Sequence, residues 1–467
     1  MSMTRREWLK TTAGVLGAAA LLPRSAYAAE RERIVVWRNW SGAQTCIPAA
    51  RLAPANEEAL AAAIRNAAGA VRPVGSAHSF SPLVPTDGSL ISLGNLSGLI
   101  SHDSQKLQAE IWGGTPMSQL GEPFKKIGQA LPNMADIDYQ TLAGAISTST
   151  HGSGPRFGSY SSNVVGLRLI TANGDALDCD AQNHPDVFSA ARVSLGALGV
   201  VTRVRLQNRN SFRLHRRDWM QDTEELIEDM PRLMRENDHF EINSILHSDL
   251  SLATAQNETH DPATLPKEQG GDRDKVALLR GINTRFRDSP RIQAALLSVA
   301  GKHLMSFPEA RDDSYKVFPS VRDVRFNEME YSVPAAAGPA CLREILKKIR
   351  EQNLDSYIPI EYRYVKADDI PLSMFQGRDT CTISIHQYYE MDYHEYFAQI
   401  EPIFWKYDGR PHWGKLHSLN ARLLAPLYPK WKDFLAVRES LDPGGKFLNA
   451  HLHSIFGIDA GAPGSKT

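Results

Sequence analysis

Arg72-Pro73-Val74-Gly75-Ser76-Ala77-His78-Ser79-Phe80-Ser81 is the stretch that decides what kind of fold this chain adopts. A short strand over 71–74 runs into a turn of small residues. Their backbone N–H groups can come close to an anion because little side chain stands in the way. One imidazole, His78, projects from that turn. A second run has the same donor-rich character over a longer span: Thr141-Leu142-Ala143-Gly144-Ala145-Ile146-Ser147-Thr148-Ser149-Thr150-His151-Gly152-Ser153-Gly154. Two such loops can cradle a pyrophosphate, although each alone also reads as an ordinary turn with a solvated histidine. No G-x-G-x-x-G follows a strand. Gly152-Ser153-Gly154-Pro155-Arg156-Phe157-Gly158 has the wrong spacing and a proline inside it, so a Rossmann domain is disfavoured. A P-loop and a G-x-S-x-G nucleophile elbow are also missing.

Outward from these loops, residues 51–69 read as a helix, with Glu57 and Glu58 near its start, Leu60, Ala61, Ile64 and Ala68 at helical spacing, and Gly69 at its end. Short apolar strands separated by Gly, Ser and Pro follow, over 89–93, 164–170 and 199–206. The texture changes after about 211. Amphipathic helices over 224–236 and 339–352 alternate there with strands over 357–365 and 380–388, while 254–274 has the polar composition of a loop. At 467 residues the chain is too long for one ordinary core. The segments are expected at 1–28 (export signal), 29–210 (cofactor domain), 211–410 (substrate or cap domain) and 411–467 (a C-terminal segment that packs back on the cofactor domain). The class is α+β.

Arg5 and Arg6 precede an apolar run, 14–22, and Ala26-Tyr27-Ala28 offers a small-residue cleavage site. This resembles a twin-arginine export signal, which implies the twin-arginine machinery as a partner and a periplasmic or other extracytoplasmic location. The run is short for a bilayer-spanning helix. With 52 basic and 53 acidic residues spread along the chain, no basic stripe is available for a nucleic-acid backbone. Cys46, Cys179, Cys341 and Cys381 form no C-x-x-C pair and read as small buried hydrophobes. Among 15 histidines, His412 with His417 and His451 with His453 are near in sequence, yet zinc-type ligand spacing is missing and no metal is expected.

The two small-residue loops, in this order, resemble the FAD domain of the vanillyl-alcohol-oxidase superfamily (the PCMH type), in particular its aldonolactone and alditol oxidase branch. Gly75-Ser76-Ala77-His78-Ser79 fits the Gly-x-x-His-Ser turn of that branch, with Ala77 where many members have glycine. Glu361-Tyr362-Arg363, Ile385-His386-Gln387, Pro411-His412-Trp413-Gly414-Lys415 and the closing 441–449 run resemble its catalytic-face and C-terminal motifs. The resemblance implies a PCMH-type FAD-binding domain, a mixed-sheet cap domain, and FAD bonded through its 8α-methyl to His78. Pro73, Val74, Gly75, Ser76, Ala77, Ser79, Thr141, Gly144, Ala145, Ser149, Thr150, His151, Gly152, Ser153 and Val200 would surround the cofactor.

It also implies oxidation of a hydroxyl on a sugar lactone or polyol, by hydride transfer to flavin N5, with reoxidation by O2 to give H2O2. A dehydrogenase passing electrons to a quinone or cytochrome is the alternative, as is a sugar-binding protein on the same scaffold that has lost turnover. Strand alternation puts Glu361 and Arg363 on one face, where a structural ion pair is the competing reading. With the resemblance, Glu361 orients substrate hydroxyls, and Arg363 and Lys415 bear charge developing at the flavin. His386 is the base, with Lys415 as the alternative. Tyr388, on the same strand face as His386, is expected to touch substrate.

Overall fold

The computed structural model describes residues 35–264, 272–304 and 308–459. The export signal expected at 1–28, with Arg5 and Arg6, lies outside the described residues. Residues from Trp37 onward make one compact unit.

Ala50–Leu52, Ser89–Ser92 and Val71–Val74 form a three-stranded parallel sheet with Ser89–Ser92 in the middle. Parallel strands need crossover connections, and Glu57–Asn66 is the helix in one of them. It begins later than the expected 51–69 helix, because residues 50–52 pair in the sheet and Asn56 caps the first turn by accepting from Ala59 N–H. Its Leu60, Ala61 and Ile64 pack with Val71, Ile91, Ile170, Val200 and Phe447. Ile170 and Val200 belong to a second, five-stranded antiparallel sheet, ordered Ala176–Cys179, Val164–Ile170, Val200–Gln207, Gln108–Trp112, Leu99–Asp103.

The last described residues return to this part of the fold. Val71 N–H donates to the Lys446 carbonyl (2.8 Å), and Asn449 Nδ2 donates to the Pro82 and Pro85 carbonyls at 2.9 Å each. The Arg72 guanidinium is fully buried and donates to the carbonyls of Leu83 (2.8 Å), Leu195 (2.7 Å), Gly196 (3.0 Å) and Phe447. Burial alone pushes its pKa down to about 9.

The remaining sheet has eight strands: Ala310–Asp313, Arg213–Asp222, Leu250–Thr259, His239–Ser244, Ile360–Val365, Thr380–Tyr388, Phe326–Pro334 and Arg410–Pro411, in spatial order. Every pair is antiparallel, so the sheet expected to be mixed is not. Helices Thr223–Glu236, Gly338–Glu351 and His394–Lys406 bury Leu226, Met230, Ile345 and Phe404 in one core with Ile242, Tyr362 and Ile383 of the sheet. The polar stretch expected to be loop from 254 is strand as far as Thr259. Its backbone pairs on both sides, and Thr254 Oγ1 donates to Asp218 (2.6 Å). The next helix, Arg273–Phe286, begins inside that stretch as well.

Ile360–Val365 is buried at every position and Thr380–Tyr388 at every position but its last. The polar side of these two strands is therefore as dry as their apolar side. All four cysteines are free; Cys179, Cys341 and Cys381 are buried and Cys46 is half-buried.

Candidate functional site

The 72–81 turn borders a cavity of about 590 Å³ that also receives the second loop, the Trp112-Gly113-Gly114 turn, the 195–201 segment and the Glu330, Arg363, His412 and Lys415 side chains. Gly75 fits one requirement: a Cβ there would lie 2.3 Å from Thr141 Oγ1, so only glycine lets the two loops touch. Ala77 takes φ +58°, a left-handed conformation that costs a residue with a Cβ about 1–2 kcal/mol. That backbone is held by Trp40 N–H donating to the Ala77 carbonyl (2.8 Å), and it turns His78 beneath the Trp40 ring, 4.8 Å between centroids.

Nε2 of His78 is buried without a hydrogen-bond partner. Burial, reinforced by Lys415, pushes the His78 pKa down to about 4. A neutral imidazole with an unclaimed nitrogen at the end of a long cavity fits attachment of a flavin methyl group.

Of the residues expected around the cofactor, Thr150, His151 and Val200, with Pro73 to Ser79, line this cavity. Leu142–Ser147 is a short helix rather than open loop; Thr141 and Gly144 face the cavity while Ala145 is buried in the core. Ser149, Gly152 and Ser153 stand behind the wall: Ser149 Oγ meets Ser373 Oγ (3.2 Å), a Cβ on Gly152 would strike the Met134 carbonyl at 2.2 Å, and Ser153 Oγ donates to the Phe240 carbonyl. Gly113 and Gly114 are cavity residues the sequence reading missed, although a glycine pair directly after an alternating strand was a usable signal.

The opposite wall is the polar face of the eight-stranded sheet. Register places Glu328 opposite His386, Glu330 opposite Ser384, and Glu361 opposite Ser384 on the other side. Lys415 Nζ is ion-paired with Glu328 Oε2, and Glu328 Oε1 lies 3.7 Å from His386 Nε2. Burial would raise the Glu328 pKa, but Lys415 and His386 bring it down to about 2, so it is a carboxylate. His386 Nδ1 lies 3.0 Å from the Pro359 carbonyl, to which it donates. His386 therefore sits behind Glu328, whereas Lys415 reaches the cavity.

Glu361 and Arg363 do meet, as alternation requires, within a larger cluster. Arg363 Nη2 lies 2.8 Å from Glu361 Oε2 and 3.3 Å from Asp136 Oδ1. Arg322 Nη2 lies 3.0 Å from Glu361 Oε1 and 2.5 Å from Asp136 Oδ2. Two guanidiniums thus bridge the same two carboxylates, and Arg363 Nε also donates to Glu241 (2.9 Å). Burial resists every charge here. Arg363 and Arg322 hold Asp136 well below the usual carboxylate range, while for Glu361 burial outweighs Arg363 and its pKa rises. Asp136 and Arg363 face the cavity; Glu361 and Arg322 stand behind them.

Glu330, also missed from sequence, holds His151 Nε2 at 2.7 Å and accepts from Ser384 Oγ at 3.0 Å. His151, Glu330 and His412 offer donor atoms all within 4.8 Å of one another, a spacing open to a metal ion. Gly414 N–H donates to His412 Nδ1 (3.0 Å), which puts the proton of neutral His412 on Nε2, so that nitrogen is a donor rather than a ligand. Burial pushes the His412 pKa down to about 4, keeping it neutral. The trio is a hydrogen-bonding cluster that can hold and pass protons. Tyr388 does not reach the cavity; it lines a separate one, with Arg280 4.7 Å above its ring.

Residues 48–180 match the family model described as an FAD binding domain, and residues 204–455 match that of D-arabinono-1,4-lactone oxidase. The chain is 37% identical over 436 residues to an L-gulono-1,4-lactone dehydrogenase of Mycobacterium tuberculosis, covering 90% of this chain and 99% of that one. It is 30% identical to an L-gulonolactone oxidase of Bos taurus (90% and 98% covered) and 28% identical to an alditol oxidase of a Streptomyces species (89% and 98%). Among solved structures, cholesterol oxidase from B. sterolicum superposes with a TM-score of 0.73 at 14% identity, covering 90% of this chain and 96% of that one, which speaks for the fold alone.

Proposed function

The chain belongs to the D-arabinono-1,4-lactone oxidase family of FAD-linked oxidoreductases acting on CH–OH groups, and from that premise we propose that it oxidises a sugar lactone or alditol with FAD bonded covalently to His78. The observation that carries this reading is His78 itself, neutral, half-buried and with a buried, unclaimed Nε2, bordering a cavity that Lys415 and Arg363 also line. When bound, the flavin supplies the hydride acceptor. The side chains do the rest.

Lys415 and Arg363 offer positive charge where negative charge develops, and the ion pair to Glu328 fixes Lys415 in place. Glu361 and Asp136 hold Arg363 from two sides and so set which substrate hydroxyl it can reach. His386 is the base assigned from the resemblance; it stands with Glu328, 3.7 Å away, behind the cavity wall that Lys415 reaches. The sequence reading has O2 as the oxidant and H2O2 as product. A second reading, a dehydrogenase with another acceptor, is favoured by the likeness to the L-gulono-1,4-lactone dehydrogenase of Mycobacterium tuberculosis. The sugar-binding alternative without turnover gains no support from these relatives.

Two measurements test the proposal. Anaerobic addition of aldonolactones and alditols should bleach the flavin for at least one member of the panel. Acid denaturation should leave wild-type protein yellow and His78→Ala colourless. Flavin that washes off the denatured wild type would end the covalent reading while leaving FAD binding intact. Export, resting on Arg5 and Arg6, predicts that changing both to Lys leaves folded, flavin-bound precursor in the cytoplasm, because charge persists while the receptor-read pair is lost. Unchanged export of that variant would overturn it.

A further inference from the structure

We propose that a second cavity, behind the flavin wall, binds a planar quinonoid electron acceptor carrying an anionic or carbonyl oxygen; the proposal rests on the reading of this chain as a flavin dehydrogenase. This cavity measures about 320 Å³ and is bordered by Val276, Arg280, Val324, Arg325, Tyr388 and Tyr389, with Arg273 and Asp323, 3.7 Å apart, at its edge. Its chemistry is unusual for an exposed cleft. Arg280 lies 4.7 Å from the centroid of Tyr388 and Arg325 4.4 Å from that of Tyr389, and neither has a carboxylate partner among the described residues. Two guanidiniums stacked on two rings, Arg325 also hydrogen-bonded to the Tyr389 side chain, put cationic N–H groups beside aromatic faces and suit a flat molecule with oxygens at its rim.

The position of the cavity is the second argument. Tyr388 and Phe326 are direct partners in the sheet ladder, on the face that continues through His386 and Glu328 to Glu330. Phe326 lies 5.2 Å from Trp40, and Trp40 lies 4.8 Å from His78, ring to ring. Phe80, Phe326, Tyr357 and Ile358, with Trp40 and Tyr388 against them, pack as one cluster that reaches from the ring beside His78 to Tyr388 and Val276 at this cavity. Electrons cross a few packed rings by tunnelling, with no ring changing oxidation state, whereas a substrate cannot cross at all. Reduction and reoxidation can therefore be served from opposite ends of this cluster.

The chemistry balances. Oxidising the carbinol to a carbonyl releases two electrons and two protons; the quinonoid acceptor takes up two electrons and two protons at its ring oxygens and leaves as the hydroquinone. Both of its protons come from solvent at the open cavity, while the carbinol hydroxyl proton and the proton left by the reduced cofactor return to solvent on the flavin side, so that atoms and charge balance across the cluster. O2 needs no guanidinium to bind it, so its reaction with the reduced cofactor does not depend on Arg280 or Arg325.

The test uses the holoenzyme with Arg280→Gln and Arg325→Gln combined, neither residue touching the flavin cavity. Anthraquinone-2-sulfonate, which is not turned over by the oxidised enzyme, should bind the wild type by calorimetry and bind the double variant more weakly by on the order of tenfold or more. In stopped flow, dithionite-reduced wild type should be reoxidised by 2,6-dichlorophenolindophenol with a rate that saturates, and the double variant with a rate at least about tenfold lower at the same concentration. Reoxidation by O2 and reduction by substrate should not change. Unaltered dye binding, unaltered dye reoxidation, or an equal fall in the O2 rate overturns the proposal. Because the enzyme is reduced chemically, the outcome does not depend on whether the lactone or alditol reading holds.

Discussion

The cofactor cradle and the sheet wall face each other across one cavity, yet they are made in opposite ways. The cradle is backbone: Gly75, Gly113 and Gly114 bring main chain close, and Arg72 is satisfied by four carbonyls. The wall is side chain, with Asp136, Glu328, Glu330 and Glu361 set among Arg322, Arg363 and Lys415; Glu328, Glu330, Glu361 and Arg363 are buried and the others half-buried. A backbone cradle can be specified by a short local stretch and tolerates changes around it. A charged wall works only when every member is present, since a buried charge without its partner is costly.

The largest expected effect tests the seam between the two. Burial holds His412 and His451 down to about 4 and His417 to about 3, against 6.5 for a free imidazole. Below pH 6.5 the unfolded chain binds protons that the folded chain refuses, so stability is full above 6.5 and falls as pH drops. The loss is about 1.4 kcal/mol per pH unit for each histidine, down to about pH 4. Glu328, whose pKa is lowered, adds to the same acid loss below the usual carboxylate range. A melting-temperature series from pH 7 to 4 should show a steep decline. A flat profile would mean that the seam is not dry.

Next comes the wall itself. Lys415→Met should slow flavin reduction on the order of 100-fold and weaken sulfite binding, by analogy with losing one oxyanion donor, while the oxidised flavin spectrum stays nearly native. A wild-type reduction rate would leave 411–415 as a turn that only carries the chain back. The smallest effect concerns the cradle. Ala77→Gly relieves the left-handed strain of φ +58° but adds unfolded-state freedom, so a net gain below about 1 kcal/mol in denaturant midpoint is expected, with colour retained. A loss of stability would show that the Ala77 methyl packs usefully and that the strain reading is wrong.

This contrast also explains what could be read in advance. Residues 72–81 carry their geometry locally, so the strand, the turn and the projecting His78 were legible. Glu361 and Arg363 were legible as a pair because strand alternation needs nothing beyond two positions. Glu328 and Glu330 alternate too, but read as the wet face of an ordinary strand, since nothing nearby in sequence says that the cradle covers them. Asp136 and Arg322 lie far apart along the chain and meet only through the fold. Tyr388 shares a face with His386, as read, yet alternation cannot say where along a strand the cavity ends. The helix start at Glu57 and the polar strand to Thr259 escaped because pairing partners overrode local composition.

The carbonyl cage of Arg72 draws one of its four oxygens from Phe447, and Asn449 ties down the 82–85 segment. A ribosome makes Phe447 375 residues after the Arg72 that it helps to enclose. The cradle, although written early, stays open until translation has passed that point. A product cut short before Phe447 therefore cannot close around a flavin, and colour reports that synthesis went beyond it.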